Sequence, residues 1–95
     1  VTLTTDTGLV GWGECYAASV GPKAMTHVIA DVFARHMQNE HPENIEKMFR
    51  RVYSSGFTQR PDLTVMGAFS GLEIACWDIL GKHRNRPVWA LLGGK

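Results

Sequence analysis

The chain begins with two short stretches whose side chains alternate in the manner of β-strands. Val1 to Thr5 alternates apolar and β-branched polar residues with a period of two, as a half-buried strand does. Asp6-Thr7-Gly8 supplies turn residues, and the stretch from Leu9 to Cys15 is typical of a returning strand. We therefore predict an antiparallel hairpin here.

The returning strand presents two different faces. One face holds Val10, Trp12 and Glu14, and the other holds Gly11, Gly13 and Cys15. Because two glycines leave the second face almost without side chains, we expect either a closely approaching backbone or a bulge there.

Two helices are predicted next, each opened by a proline. The first runs from Gly21-Pro22 to about Met37, with an apolar stripe at Ala24, Val28, Val32 and Phe33. After the linker 39–41, the second starts at Pro42, and its predicted buried face is Ile45, Met48, Phe49 and Val52. Two ion pairs one turn apart, Glu43–Lys47 and Glu46–Arg50, are expected to stabilise it.

The third predicted helix is the longest element and runs from about Asp62 to Lys82. Its apolar positions at helical spacing are Val65, Phe69, Leu72, Cys76 and Ile79. Beside them lies a ridge of small residues, Gly67, Gly71 and Ala75, which predicts a groove for another closely packed element. Pro87 then begins a short apolar turn.

Composition describes an ordinary small globular domain. The 95 residues are 44% hydrophobic and carry a formal charge of +1 with both signs interspersed, so we expect neither nucleic acid nor membrane as a partner. No stretch has the length and freedom from charge expected of a membrane span, and no signal peptide is visible. Cys15 and Cys76 are interpreted as free thiols of a cytoplasmic protein. Without an initial methionine, the chain is expected to be a piece of a larger protein.

The usual catalytic and metal-binding motifs are missing from the sequence. The four histidines form neither HxH nor HExxH, the glycines at 8, 11 and 13 lack the spacing of a phosphate loop, and Cys76 lies among apolar residues. Glu14, Glu73 and Asp78 stand in apolar or small-residue surroundings, where a carboxylate serves as a metal ligand, an acid or base, or a structural hydrogen-bond acceptor. We favour the structural role. The residues alone indicate an α+β module built to meet another body.

Two segments resemble a known family. Asp6-Thr7-Gly8-Leu9-Val10-Gly11-Trp12-Gly13-Glu14 is similar to the capping-domain hairpin of the mandelate racemase and muconate lactonizing group of the enolase superfamily. The stretch 70–82, Ser-Gly-Leu-Glu-Ile-Ala-Cys-Trp-Asp-Ile-Leu-Gly-Lys, followed by Pro87-Val88 and 91–94, resembles the helix that leads from that cap towards the barrel, and Pro42 to Glu46 matches the middle helix.

The resemblance implies an α+β fold, the enolase N-terminal-like capping domain: an antiparallel β-meander, here a hairpin, followed by about three helices. Residues 1–86 would be the capping domain without its first strand. Residues 87–95 would start the connection to a (β/α)7β barrel that lies outside this chain and would be its partner in the same polypeptide, in a homo-oligomer.

The resemblance also implies a division of chemistry. The catalytic bases and the ligands of Mg2+ are barrel residues in this family, so no catalytic and no metal residue is expected here, and the fragment alone is predicted inactive. The cap would control substrate specificity through two loops, at 15–20 and 54–61, that close over the substrate. Tyr16 and Arg60 are the predicted substrate-binding residues, although a packing tyrosine and a solvated arginine are equally good interpretations.

The resemblance implies a Mg2+-dependent enzyme that abstracts the proton alpha to a carboxylate, and we expect an acid-sugar (aldonate or aldarate) dehydratase. A racemase, epimerase or cycloisomerase of the same superfamily would use the same first step. A non-catalytic interaction domain is the alternative from another class.

Overall fold

The computed structural model describes residues 1–16, 20–56 and 60–94. Within these ranges, a two-stranded antiparallel hairpin precedes four helices. The elements are β1 (Thr2–Thr4), β2 (Val10–Trp12), α1 (Pro22–His36), α2 (Ile45–Ser54), α3 (Leu63–Arg84) and α4 (Val88–Leu91). The predicted hairpin followed by helices is therefore confirmed.

The hairpin register places the glycine face of β2 inward. Leu3 pairs with Gly11, and Thr2 pairs with Trp12. Leu3 is half-buried and Gly11 buried, whereas Thr2 and Trp12 are exposed. Gly8 adopts a φ of 91° in the turn, a left-handed conformation that glycine adopts without a steric penalty.

Helix α3 is the centre of the fold. It begins at the Asp62 cap, whose carboxylate accepts a hydrogen bond from the Val65 N–H at 3.0 Å, and it ends at Asn85 with a φ of 52°. Both strands and the other three helices pack against it. The largest fully buried side chains of the core are Phe69, Met48, Leu72 and Val52.

By length and composition, α3 is also long and apolar enough to cross a membrane. The expectation that no stretch meets those criteria is therefore wrong. Nine of its residues are buried within the fold, namely Ala68, Phe69, Gly71, Leu72, Ala75, Cys76, Ile79, Leu80 and Gly81. This burial gives the apolar composition a structural reason, since α3 forms the interior of the domain.

Helix α1 starts at Pro22 as predicted, and its predicted stripe is wrong only at Ala24, since Val32 is buried and Val28 and Phe33 pack half-buried against the core. Met25, Val32 and His36 are buried, whereas Ala24 is exposed. A long methionine side chain fills the space beside α3 that a short alanine would leave empty.

Helix α2 begins at Ile45, three residues later than the predicted start at Pro42. The Asn44 N–H donates to the His41 carbonyl in a separate turn, and the first helical bond runs from Met48 N to Asn44 O. The predicted Glu43–Lys47 pair is wrong, since Glu43 lies in that turn and pairs with Arg84 at 2.7 Å. The predicted Glu46–Arg50 pair is present, at 3.1 Å.

Candidate functional site

The hairpin lies directly on the backbone of α3. A Cβ atom at Gly11 would collide with the Ala75 carbonyl oxygen, and one at Gly13 would collide with the Gly71 carbonyl oxygen. Both predictions about small residues are therefore confirmed: the glycine face meets a backbone, and the ridge of α3 holds a closely packed element. That element is the chain's own hairpin, so the ridge is not open to another body as the sequence suggested.

Side chains of α3 also bind the outer edge of β2. Val1 and Gly13 exchange two backbone hydrogen bonds, of 2.7 and 2.9 Å, so the N–H of the neighbouring Trp12 points away from β1. The Asp78 carboxylate accepts that N–H at 2.9 Å. Lys82 Nζ donates both to Asp78, at 2.9 Å, and to the Val10 carbonyl, at 2.7 Å.

These hydrogen bonds change the pKa of Asp78. The hydrogen bond from Lys82, and then that from the Trp12 N–H, hold the pKa of Asp78 below its usual value. The structural role predicted for this carboxylate is confirmed. The bonds fix β2, and therefore the segment that follows it, at a defined position on α3.

The segment after β2 stays close to α3 up to the first predicted loop. A Cβ atom at Gly71 would collide with the Cys15 sulfur. The Cys15 thiol donates a hydrogen bond to the Ala68 carbonyl oxygen, with 3.4 Å between sulfur and oxygen. The carbonyl oxygen of Tyr16 lies 3.9 Å from the position that a Cβ at Gly67 would take. Tyr16 thus lies over the second turn of α3, and its side chain is 83% exposed.

The second predicted loop leads into the N-terminus of α3. Arg60 is exposed and precedes the Asp62 cap by two residues. Residues 17–19 and 57–59, the central parts of both loops, lie outside the described residues. Because Arg60 leads into the first turn of α3 and Tyr16 lies over the second, the structure brings both predicted residues to the same end of this helix. Their contact with a substrate stays a prediction.

In the described ranges there is no group of three or more His, Cys, Asp or Glu side chains that could hold a metal ion. Glu14 is exposed, Glu73 is half-buried, and Asp78 is engaged by Lys82. Mg2+ therefore has no fitting ligand set among these residues.

Neither thiol is suited to nucleophilic chemistry. Cys15 and Cys76 are free, as predicted. Burial raises the pKa of Cys76 to about 11, and burial also raises the pKa of Cys15. Because the thiolate is the reactive form, both cysteines are packing residues.

The sequence analysis did not predict one polar cluster, which surrounds Glu40. The Glu40 carboxylate accepts hydrogen bonds from Asn44 at 2.9 Å and Arg51 at 3.1 Å, and it forms an ion pair with Lys47 at 3.1 Å. Arg51 also donates to the His36 carbonyl at 2.7 Å, joining the end of α1 to α2. Positions 40, 44, 47 and 51 follow one another at spacings of four, three and four, so the sequence carried a signal for this cluster that runs from the linker into α2.

The description of the fold agrees with comparisons to known proteins. The sequence model of the mandelate racemase/muconate lactonizing enzyme N-terminal domain matches residues 1–93. D-galactonate dehydratase from Klebsiella pneumoniae is 36% identical over 94 residues, 97% of this chain and 23% of that protein. D-galactarolactone cycloisomerase from Agrobacterium fabrum is 33% identical over 95 residues, 100% of this chain and 24% of that protein.

Solved structures of the same family are also similar to this chain. A mandelate racemase/muconate lactonizing enzyme from Sulfitobacter is 84% identical with a TM-score of 0.93, over 98% of this chain and 24% of its own. A mandelate racemase/muconate lactonizing enzyme-like protein from Roseovarius is 83% identical with a TM-score of 0.94, over 99% of this chain and 24% of its own. The chain spans about a quarter of the length of these relatives. This chain therefore belongs to the mandelate racemase/muconate lactonizing enzyme family of the enolase superfamily, as its N-terminal capping domain.

Proposed function

We propose that this domain is the substrate-specificity cap of a Mg2+-dependent acid-sugar dehydratase, an enzyme that abstracts the proton alpha to a carboxylate. The observation that carries the proposal is the position of Tyr16 and Arg60. Both lie at the N-terminal end of α3, and Tyr16 follows a strand that is fixed further along the same helix, at Ala75 and Asp78. The similarity to D-galactonate dehydratase supports an aldonate as the class of substrate.

Each of the two side chains suits an acid sugar. The planar guanidinium of Arg60 can donate two parallel hydrogen bonds to a carboxylate, and the phenol of Tyr16 can donate to or accept from a sugar hydroxyl. Both residues are exposed, so their polar groups are accessible to a ligand. Closure of the two loops would exclude water from the bound substrate.

The chemistry itself is assigned to the rest of the polypeptide. Since the described residues offer no ligand set for Mg2+, the metal would be bound outside this chain, where it would stabilise the negative charge that develops on proton abstraction. Residues 1–86 would form the cap. The stretch from Pro87 would lead towards the barrel, with α4 packed on α3 at the start of that connection.

A cycloisomerase is the second candidate. D-galactarolactone cycloisomerase is nearly as similar to this chain as the dehydratase is, at 33% against 36% identity. Racemisation or epimerisation of a carboxylic acid would share the first step. The reaction would then differ in the barrel, while the cap would still select the acid.

The test is steady-state kinetics of the full-length protein with D-galactonate and Mg2+. Losing one charge-assisted hydrogen bond costs about 1.5–3 kcal/mol, so we expect Arg60→Ala to lower kcat/KM about 10- to 100-fold. Arg35→Ala is the control, because Arg35 is an exposed arginine of α1 paired only loosely with Asp31, at 3.5 Å. If kcat/KM of Arg60→Ala equals that of the control, the substrate-binding role of Arg60 is wrong.

A further inference from the structure

The outer edge of β2 is bound by two charged side chains of α3. Alternate residues of a strand turn their backbone polar groups to opposite edges, so the Val10 carbonyl and the Trp12 N–H both lie on the edge away from β1. Among the described residues, no further strand pairs with this edge. Instead, the Lys82 ammonium lies 2.7 Å from the Val10 oxygen, and the Asp78 carboxylate lies 2.9 Å from the Trp12 nitrogen.

The spacing of these two contacts matches on both elements. Val10 and Trp12 are two residues apart on an extended strand, which separates them by about 7 Å. Asp78 and Lys82 are one helical turn apart, which separates them by about 5.4 Å along the helix axis. Because the two distances are similar, both side chains can reach their partners at the same time, and Lys82 also binds Asp78 at 2.9 Å.

The chain keeps its alignment with α3 beyond the strand. As it proceeds from β2 to the first predicted loop, its partners lie progressively nearer to the N-terminal end of α3. In chain order, the contacting pairs are Val10–Lys82, Trp12–Asp78, Gly13–Gly71 and Tyr16–Gly67. The segment up to Tyr16 therefore follows α3 in one defined register.

The polar contacts are directional, whereas the glycine contacts are not. The glycines on the inward face of β2 meet the backbone of α3 through shape, which sets the distance between the two elements. A hydrogen bond also requires alignment of its donor and acceptor. The two bonds to Val10 and Trp12 therefore determine where β2 lies along the axis of α3.

The position of Tyr16 depends on this register. Tyr16 follows Trp12 by four residues, and the intervening Cys15 stays in contact with α3 through its bond to the Ala68 carbonyl. A displacement of about 1 Å in a group that positions a substrate can lower a rate by about 100-fold. A small shift of β2 along α3 would therefore be enough to move the Tyr16 phenol away from a sugar hydroxyl.

We propose that Asp78 and Lys82 are positioning residues for substrate selection, which hold β2 in register on α3 and thereby place Tyr16 against the substrate. The inference rests on the proposed function, because it requires Tyr16 to contact the acid sugar. In this assignment neither Asp78 nor Lys82 touches the substrate. Their effect on the affinity for the acid passes through the backbone between Trp12 and Tyr16.

Both side chains can be changed without opening the core. The Asp78 side chain is 33% exposed and that of Lys82 is 43% exposed, so their removal leaves no cavity among the buried residues. We therefore expect the variants to fold, and their thermal midpoints are measured beside the kinetics.

Steady-state kinetics of the full-length protein with D-galactonate and Mg2+ test the proposal. We expect Asp78→Ala to raise KM about three- to tenfold, the effect of one hydrogen bond, while kcat stays within about twofold. Asp78→Asn is the conservative variant. Because a single oxygen of Asp78 accepts from both Trp12 and Lys82, an amide oxygen can replace it, and we expect KM within about twofold of the unsubstituted protein.

Asp31→Ala is the matched control. It removes a carboxylate from another ion pair between residues four apart, Asp31 with Arg35, on the exposed side of α1. We expect this change to leave KM and kcat as they are. An equal rise of KM in Asp31→Ala and Asp78→Ala would contradict the proposal.

A double-mutant cycle separates positioning from a general structural effect. Tyr16→Phe removes the phenol hydroxyl, and we expect KM to rise about three- to tenfold. If Asp78 acts through Tyr16, adding Asp78→Ala to Tyr16→Phe should change KM by no more than about twofold, because the contact is already lost. Effects that multiply independently would overturn the proposal. Lys82→Met, expected to raise KM about two- to fivefold, provides the same cycle if Asp78→Ala does not fold.

The positioning role and the proposed function fail in different ways. An unchanged KM of Asp78→Ala, with Tyr16→Phe still impaired, overturns the positioning role and leaves the proposed function standing. If Tyr16→Phe is unimpaired, or if the full-length protein does not turn over D-galactonate, the proposed function is contradicted and the positioning role falls with it.

Discussion

At the scale of single residues, the glycines carry the most information about this fold. Gly11 and Gly13 alternate with larger residues in the sequence, and that pattern predicted a close backbone contact, which the structure shows against Gly71 and Ala75. The ridge of small residues was equally readable, because Gly67, Gly71 and Ala75 recur every four residues. The sequence did not predict which element fills the groove beside this ridge, because spacing along one helix says nothing about its neighbour.

A substitution of Gly71 tests this contact. We expect Gly71→Ala to lower the free energy of unfolding by about 1–2 kcal/mol, because the overpacking of its Cβ against Cys15 and Glu14 exceeds the gain of about 1 kcal/mol in helix propensity. Gly67→Ala is the control in the same helix, since its Cβ would meet only Met25 Cε at 3.8 Å and Tyr16 O at 3.9 Å. We expect that change to be neutral or stabilising. Urea unfolding of the full-length variants measures both, and a stabilised Gly71→Ala would refute the close contact.

At the scale of elements, the helices followed their apolar periodicity, but one helix start did not. Pro42 is a suitable first helical residue, yet α2 begins only at Ile45. Residues 41–44 instead form a separate turn, in which Glu43 pairs with Arg84. Local sequence cannot report an ion pair between residues that are 41 positions apart. Such a pairing depends on how α2 and α3 pack.

Glu40 makes the join between α1 and α2 dependent on pH. Hydrogen bonds from Asn44 and Lys47 are the main causes that lower the pKa of Glu40 to about 2, from a usual value of 4.5. Because the folded-state pKa is lowered, its stabilising contribution is complete above pH 4.5 and is lost as the pH falls through about 2.

We therefore expect Glu40→Gln to lower the thermal midpoint of unfolding at pH 7. The difference from the unsubstituted protein should shrink between pH 4.5 and pH 2, where the native carboxylate itself becomes protonated. Glu46→Gln is the control, because Glu46 pairs with Arg50 on the solvent side of α2 with both side chains 76% exposed. Calorimetry across this pH range measures the effect. Identical midpoints for the two variants at pH 7 would count against the role of Glu40.

At the scale of the whole molecule, the sequence predicted more of the architecture than of the site. The hairpin segment 6–14 and the segment 70–82 make contacts that need particular residues, such as the close approach of Gly11 and Gly13 to the backbone of α3 and the Asp78 carboxylate that accepts the backbone N–H of residue 12. Tyr16 and Arg60 have no such constraint from the fold, as both side chains are exposed. Their role depends on a ligand and on the barrel, neither of which imposes a periodicity on this chain.

The division of labour between cap and barrel leads to the last prediction. If the cap only selects the substrate, the chain of 95 residues should show no Mg2+-dependent turnover of D-galactonate, because its described residues hold no metal-binding cluster and both thiols have raised pKa values. The full-length protein, assayed with the same substrate and metal concentrations, is the positive control. Turnover by the 95-residue chain that is abolished by a chelator would place catalytic chemistry in this domain. The assignment of the metal and the bases to the barrel would then fail, while the family and the fold would stand.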